Sequence, residues 1–191
     1  AVIFDFGIGD FRVRPDYEMG YQACLNASRK VEEGSVGAGT GATVGKLFGI
    51  ERAMKGGVGT SSIRGSRALI VGALVVVNAF GDVFDPSSNQ ILAGARRSKK
   101  SSQLANSSKW IKKGVTREQF GAVAPSDANA FNTTLGVIAT NAELTKKEVH
   151  QVAQIAHIGL AKVISPLHTT FDGDLIFAIS CGKKKGDVNT I

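Results

Sequence analysis

Residues 130 to 142 read AFNTTLGVIATNA, and the second half of that stretch decides what kind of layer the chain is built around. From Thr134 to Thr140 the apolar Leu135, Val137 and Ile138 stand among β-prone threonines, which predicts a buried strand. Asn132, Thr133 and Thr134 sit at its mouth, behind a long polar, basic segment. A strand entry needs only turn chemistry, and Asn supplies that. Two hydroxyls directly after an Asn are either incidental or a nucleophile beside a peptide bond it could cut.

Outward from this strand, the chain alternates strand and helix patterns. Thr145-Lys146-Lys147-Glu148 is a capping-box pattern. The helix it opens carries Val149, Val152, Ala156, Leu160 and Val163 on one stripe, and Pro166 stops it. LIFAIS (175 to 180) reads as a last strand. On the N-terminal side, LIVGALVVVNAFG (69 to 81) reads as a strand apolar enough to be buried on both faces, with KGGVGTSSI (55 to 63) as its neighbour in sequence. AVIFDF (1 to 6) reads as a further strand. Pro15 to about Val31 reads as a helix, with Pro15 in its first turn and Asp16 and Glu18 near its positive end. This order fits a layered α/β or α+β sandwich.

With 191 residues, the chain suits one packed domain. At 43% hydrophobic and 20% charged it belongs with soluble globular proteins, and no apolar run approaches the ~20 residues that span a bilayer. It opens on a strand pattern in place of a signal peptide. Cys24 and Cys181 are too few for a disulfide framework, and they read as reduced core thiols of a cytoplasmic protein. The net charge of +7 is concentrated between Pro86 and Arg117, where Arg96, Arg97, Lys99, Lys100, Lys109, Lys112, Lys113 and Arg117 occur without a single Asp or Glu. Seven serines and one aromatic, Trp110, share that stretch. Without interleaved stacking aromatics, this pattern reads as a solvated loop more readily than as a nucleic-acid surface.

Four features bear on chemistry. The glycine stretch GSVGAGTGATVGKLFG (34 to 49) fails the phosphate-loop pattern twice, at Thr40 and at Leu47. Close backbone packing is then the ordinary reading, with Lys46 able to point into a cleft. His150, His157 and His168 lack the companions of a metal site and read as solvated or satisfied histidines. Asp172-Gly173-Asp174, immediately before LIFAIS, is either an Asp-Gly turn or a pair of carboxylates at a strand entry, and on spacing alone the turn is favoured. Asn78, at the end of the buried run, is either a turn residue or a fixed amide placed to donate hydrogen bonds.

Taken together, AVIFDF, the glycine stretch around Lys46, LVVVNAFGDVFDP, FNTTLGVIATNA and LHTTFDGDLIFAIS resemble the L-aminopeptidase/D-esterase family. That family includes β-peptidyl aminopeptidases and nylon-oligomer hydrolases, and its members cut themselves to expose an N-terminal nucleophile. The resemblance implies an α+β fold, an αββα four-layer sandwich like that of other N-terminal-nucleophile hydrolases. It implies cleavage of the Asn132–Thr133 bond, leaving Thr133 with a hydroxyl and a free α-amine. Such an amine titrates near ~7.7–8.0, against about 10.4 for lysine, so it can take the hydroxyl's proton. Lys46 matches the family's active-site lysine, implied to polarise the nucleophile and keep the amine neutral by like-charge repulsion. Asn78 matches an amide that steadies the oxyanion or orients the amine, and its replacement by Ala is expected to cost transition-state stabilisation while leaving the fold intact. Asp172 and Asp174 match an acidic pair that orients the nucleophile's surroundings or a substrate ammonium.

Three departures accompany the resemblance. Family members carry a long portion before the AVIFDF-like strand and continue past the LIFAIS-like strand, so residues 1 to 191 are expected to be a single hydrolase domain lacking N- and C-terminal portions. Phe4 stands where several relatives have Tyr. The function expected is an autoprocessing N-terminal-threonine amidohydrolase acting on peptide or peptide-like amide bonds, with no cofactor. Its partners would be a peptide or small amide substrate and, by resemblance, further copies of itself in a homo-oligomer, a tetramer, without membrane or nucleic acid. The alternatives are a self-cleaving acyltransferase of similar architecture, or a basic nucleic-acid-binding protein in which the 96 to 117 cations would matter and Thr133 would not.

Overall fold

The computed structural model describes residues 10, 12–117 and 132–191; the strand expected at AVIFDF lies outside them. The elements, in chain order, are α1 (Tyr17–Leu25), β1 (Thr43–Val44), β2 (Met54–Lys55), β3 (Gly57–Arg64), β4 (Ile70–Asn78), β5 (Asp82–Phe84), β6 (Ile91–Ala93), α2 (Ser107–Ile111), β7 (Thr133–Ala142), α3 (Lys146–Val163), β8 (Ile164–Ser165) and β9 (Leu175–Lys184). The mixed α+β class expected from the sequence is the one observed.

A four-stranded sheet in the order β3-β4-β7-β9 forms the centre. β3, β4 and β7 pair antiparallel. β9 lies parallel to β7, and the 18-residue α3 supplies the crossover that a parallel pair requires. α3 starts where its capping box says it should: the Thr145 side chain accepts from the Glu148 N–H, and Glu148 reaches back to the Thr145 N–H. Val152, Ala153, Ala156, Leu160 and Val163 then lie against the sheet. From the sheet they meet Val75 and Val77 of β4, Ile138 of β7 and Ile176 of β9. The residues between these point the other way, and Leu175, Phe177 and Ile179 of β9 are exposed there.

That one-sided cover corrects the expectation for the apolar run at 69 to 81. β4 is half-buried along most of its length, because among the described residues α3 packs on one face only. The cysteines also depart from expectation. Cys24 and Cys181 are free but exposed, since α1 buries no residue and Cys181 lies on an edge strand. α1 itself is shorter than expected: Asp16 is its N-cap, accepting from the Met19 N–H at 2.8 Å, and Asn26 closes it. Among the described residues no helix is long and apolar enough to cross a membrane.

The basic segment is not a free loop either. Its carbonyls and cations are tied back, with Arg52 Nε donating to the Arg96 carbonyl at 2.8 Å and Arg96 donating to the Glu51 carbonyl at 2.9 Å. Lys99 pairs with Glu51, and Trp110 packs edge-on against Phe48. The anchor is Asp82. Its buried carboxylate accepts from Ala95 N–H (2.8 Å), Ser107 N–H (2.5 Å) and Ser107 Oγ (2.9 Å). No Asp or Glu within the segment could do this, so the brace comes from β5.

Burial raises the Asp82 pKa, partly offset by its three donors. The folded state therefore holds this proton more tightly than the unfolded chain. Its contribution to stability is greatest below the unfolded value of about 3.9 and falls as pH rises through the raised folded value. Asp82→Ala strands three buried donors, so urea unfolding at neutral pH should show a loss of at least about 3 kcal/mol, the lower end of roughly 1–3 kcal/mol for each orphaned group.

Candidate active site

The sheet's register builds the site. Asn78, the last residue of β4, stands directly opposite Thr133, the first of β7, and residues opposed in an antiparallel pair present their side chains to the same face. On the other side of β7, Asn132 forms a parallel bridge with Asp172, just ahead of β9. Three chain segments remote in sequence thus end at one edge of the sheet.

Lys46 reaches this edge because Gly45 lets two backbones cross. Gly45 has φ of 73°, and a Cβ on it would lie 1.9 Å from the Ala95 nitrogen, so no other residue fits. Its N–H donates to the Gly81 carbonyl and the Lys46 N–H to the Phe80 carbonyl, each at 2.9 Å. The glycine stretch therefore serves close packing, as its failed phosphate-loop pattern suggested. Lys46 then turns inward and its Nζ donates to Asn78 Oδ1 at 2.6 Å. The lysine is 3% exposed, and Asn78, Asn132 and Thr133 are 0% exposed.

Asn78 does more than the sequence suggested. Its Oδ1 accepts from both the Lys46 ammonium and the Thr43 N–H (2.9 Å). The amide's orientation is fixed by these two donors, and what it offers in turn is its N–H pair. An alanine here would remove the side-chain acceptor that Lys46 and the Thr43 N–H share.

The acidic pair braces backbone. Asp172 Oδ1 accepts from the Phe80 N–H at 3.0 Å, and its Oδ2 accepts from the Thr169 N–H (3.0 Å) and hydroxyl (2.6 Å). Asp172 thereby joins the turn before β9 to the end of β4. Asp174 Oδ1 accepts from the Thr134 N–H at 2.7 Å, the amide next to Thr133. Its Oδ2 accepts from His168 Nδ1 at 2.8 Å, and His168 Nε2 lies 3.1 Å from His157 Nδ1. Burial, followed by the neighbouring His168, pushes the His157 pKa down, against a smaller opposing pull from Asp174.

Gly173 lies between the two acids. Its N–H donates to the Asn132 carbonyl at 2.6 Å, and a Cβ on it would stand 3.3 Å from Thr133 Oγ1. The carbonyl of the Asn132–Thr133 bond thus carries a short backbone hydrogen bond with the Thr133 hydroxyl beside it. Two buried polar atoms flank the same bond without a hydrogen-bond partner among the described residues: Asn132 Oδ1 and Thr134 Oγ1. Orphans of this kind cost roughly 1–3 kcal/mol each.

All the residues singled out from the sequence, Lys46, Asn78, Asn132, Thr133, Asp172 and Asp174, meet at this edge. The Gly173 amide, the Thr43 N–H and the His157–His168 pair were not singled out. Backbone donors leave no mark in residue identity, and the two histidines become partners only through the turn between α3 and β9. Among the described residues no group of three His, Cys, Asp or Glu is arranged to hold a metal ion.

The model for peptidase family S58 matches residues 1–190. The chain belongs to peptidase family S58. The resemblance read from the sequence is borne out, and curated relatives of this S58 chain carry matching names. An uncharacterized aminopeptidase of Mycobacterium leprae is 40% identical over an alignment of 196 positions, gaps included, that covers 95% of this chain and 48% of that protein. A 6-aminohexanoate-oligomer endohydrolase of a Kocuria strain is 31% identical over an alignment of 188 positions, gaps included, that covers 94% of this chain and 48% of its own length. The chain spans about half the length of these curated relatives. Among solved structures, the PH0078 protein of Pyrococcus horikoshii superposes with a TM-score of 0.53 at 26% identity, over 86% of this chain and 36% of that one.

The double use of Asn78 separates two variants. Asn78→Ala should lower the unfolding free energy by about 1–3 kcal/mol, because it removes the side-chain oxygen that accepts from both the Thr43 N–H and Lys46 Nζ. Asn78→Asp keeps an acceptor for both donors and should remain folded near wild-type stability. Denaturant titration of the two variants side by side checks the difference.

Proposed function

We propose that this S58 chain is the catalytic portion of a self-cleaving amidohydrolase whose working nucleophile is the N-terminal Thr133. The observation that carries the reading is the arrangement around one peptide bond: the Asn132 carbonyl on the Gly173 N–H at 2.6 Å, within a site that also holds Thr133, Lys46 and Asn78. In the first step Thr133 Oγ1 attacks the Asn132 carbonyl carbon. The C–O bond forms, the C–N bond breaks, and the hydroxyl proton ends on the departing nitrogen, which becomes the α-amine of Thr133. Water then hydrolyses the ester, leaving a carboxylate on Asn132 and restoring the hydroxyl. The Gly173 N–H is placed to steady the oxyanion that develops on the Asn132 oxygen, a type of donor worth ~2.7–4 kcal/mol.

Two further observations support this reading. Thr133 is wholly buried while the bond is intact, so the uncut chain has its nucleophile shut away from any substrate. Among the described residues Asn132 Oδ1 is buried without a hydrogen-bond partner, an unfavourable free energy beside the bond that departure of Asn132 would relieve. Once cut, Thr133 would use its own amine as the base and attack amide carbonyls of peptides or peptide-like oligomers, in line with the aminopeptidase and oligomer-hydrolase names of the relatives. Lys46 and Asn78 would act on the same hydroxyl and oxyanion in both reactions. The exposed apolar side chains Leu175, Phe177 and Ile179 of β9 fit a second sheet stacked there, which would complete an αββα sandwich.

Intact mass and N-terminal sequencing of the purified protein test the reading. Wild type should show a new N-terminus at Thr133, and Thr133→Ala should stay whole and inactive on amide substrates. A new terminus at Thr134, or full amidase activity in an uncut chain, would overturn it.

A further inference from the structure

The chain of contacts from Thr134 through Asp174 to His168 and His157 is not needed for the chemistry just described, yet it ends one residue from the nucleophile. We infer that His168 is a positioning residue for Thr133 and that its partnership with His157 makes this positioning responsive to pH. The inference rests on the self-cleavage reading.

The Asp174 side chain is fully buried and His168 about half exposed, so the histidine lies between the buried carboxylate and solvent. One carboxylate oxygen takes the Thr134 N–H and the other takes His168 Nδ1. With both oxygens engaged, the carboxylate has a single rotamer, and the Thr134 amide is held where β7 begins. His168 sits at φ of 52°, in the left-handed region where, apart from Gly, Asn, Asp and His are the enriched residues. This backbone turn brings its ring onto Asp174.

The proton logic follows from the geometry. Facing a carboxylate, His168 Nδ1 carries a hydrogen whether the ring is neutral or cationic. A neutral His168 accepts at Nε2 from His157 Nδ1–H, whereas a cationic one donates there to an unprotonated His157 nitrogen. Either way the pair shares one hydrogen across 3.1 Å. A second proton would set two N–H groups against each other and drive the rings apart. The charged groups that act on His157 are His168 and Asp174, and those that touch His168 are Asp174 and His157. The lowered His157 pKa accords with this: the folded pair resists the second proton, so its contribution to stability is present above the unfolded histidine value of about 6.5 and is lost as pH falls below it through the lowered folded value.

Self-cleavage is the step that isolates this effect, because the α-amine of Thr133 does not exist until the bond is cut and cannot itself produce an acid limb. Full-length protein made by cell-free translation in the cold is shifted into buffers over roughly pH 5 to 8, and cleavage is followed on a denaturing gel. Wild type should slow in acid. His168→Gly, which tolerates the left-handed backbone but lacks the donor, should cleave about tenfold or more slowly at every pH, since small misplacements of a reacting group carry penalties of this order. His168→Asn, which also tolerates that backbone and can offer its amide N–H to Asp174, should recover much of the lost rate and lose the acid limb.

Wild-type rates and pH dependence in His168→Gly would overturn the inference, as would an unchanged acid limb in His168→Asn. A thermal melt of each variant shows whether a slow rate reflects unfolding. If wild type cleaves at no pH, the self-cleavage reading has failed and this inference goes with it, a result distinct from either histidine outcome.

Discussion

One buried hydrogen bond, from the Lys46 ammonium to the Asn78 amide oxygen, constrains everything around it. A charge at 3% exposure is tolerable only with acceptors in place, so β4 has to end on a residue that supplies one at that position. The same oxygen takes the Thr43 N–H, which ties the glycine stretch to the sheet. Gly45 is the geometric condition for this contact, because its crossing against Ala95 leaves no room for a Cβ. Register matters equally. A slip of one residue between β4 and β7 would send Thr133 to the opposite face, away from the lysine and the amide.

The other half of the site is assembled by two carboxylates acting on backbone. Asp172 holds the Phe80 N–H and the Thr169 turn, while Asp174 holds the Thr134 N–H and a histidine. Between them Gly173 places its own N–H on the Asn132 carbonyl. Orientation of the nucleophile's surroundings, the role implied for these acids, thus takes a specific form: they position the peptide groups on either side of Thr133. The turn lies ahead of the acids, at Thr170 and Phe171, and is closed by the Asp172 N–H on the Thr169 carbonyl, so the two carboxylates stand at the strand entry.

The Asn132–Thr133 bond is closed off from solvent. Most buried polar atoms in folded proteins find partners, yet two without one among the described residues lie immediately before and after Thr133. The basic segment upstream is held down through Asp82 and Arg96.

Much of this was written locally. The strand at 134 to 140, the capping box of α3 and the strand at 175 to 180 could be named from pattern, because periodicity and capping act within a few residues; Lys46, Asn78, Thr133, Asp172 and Asp174 were named as a site through the family resemblance. What those residues touch could not be. The double duty of Asn78 depends on Thr43 and Lys46, more than thirty positions away. The Gly173 donor is a backbone group with no signature in residue identity. The exposure of Cys181 and the one-sided cover of β4 follow from which strand became the edge and where α3 lay. The histidine pair exists only because the turn after α3 folds His168 back between Asp174 and His157. Sequence determined the elements and the chemical inventory through short-range preferences; the partners of each group were decided by long-range pairing, where geometry selects among donors that the sequence leaves equivalent.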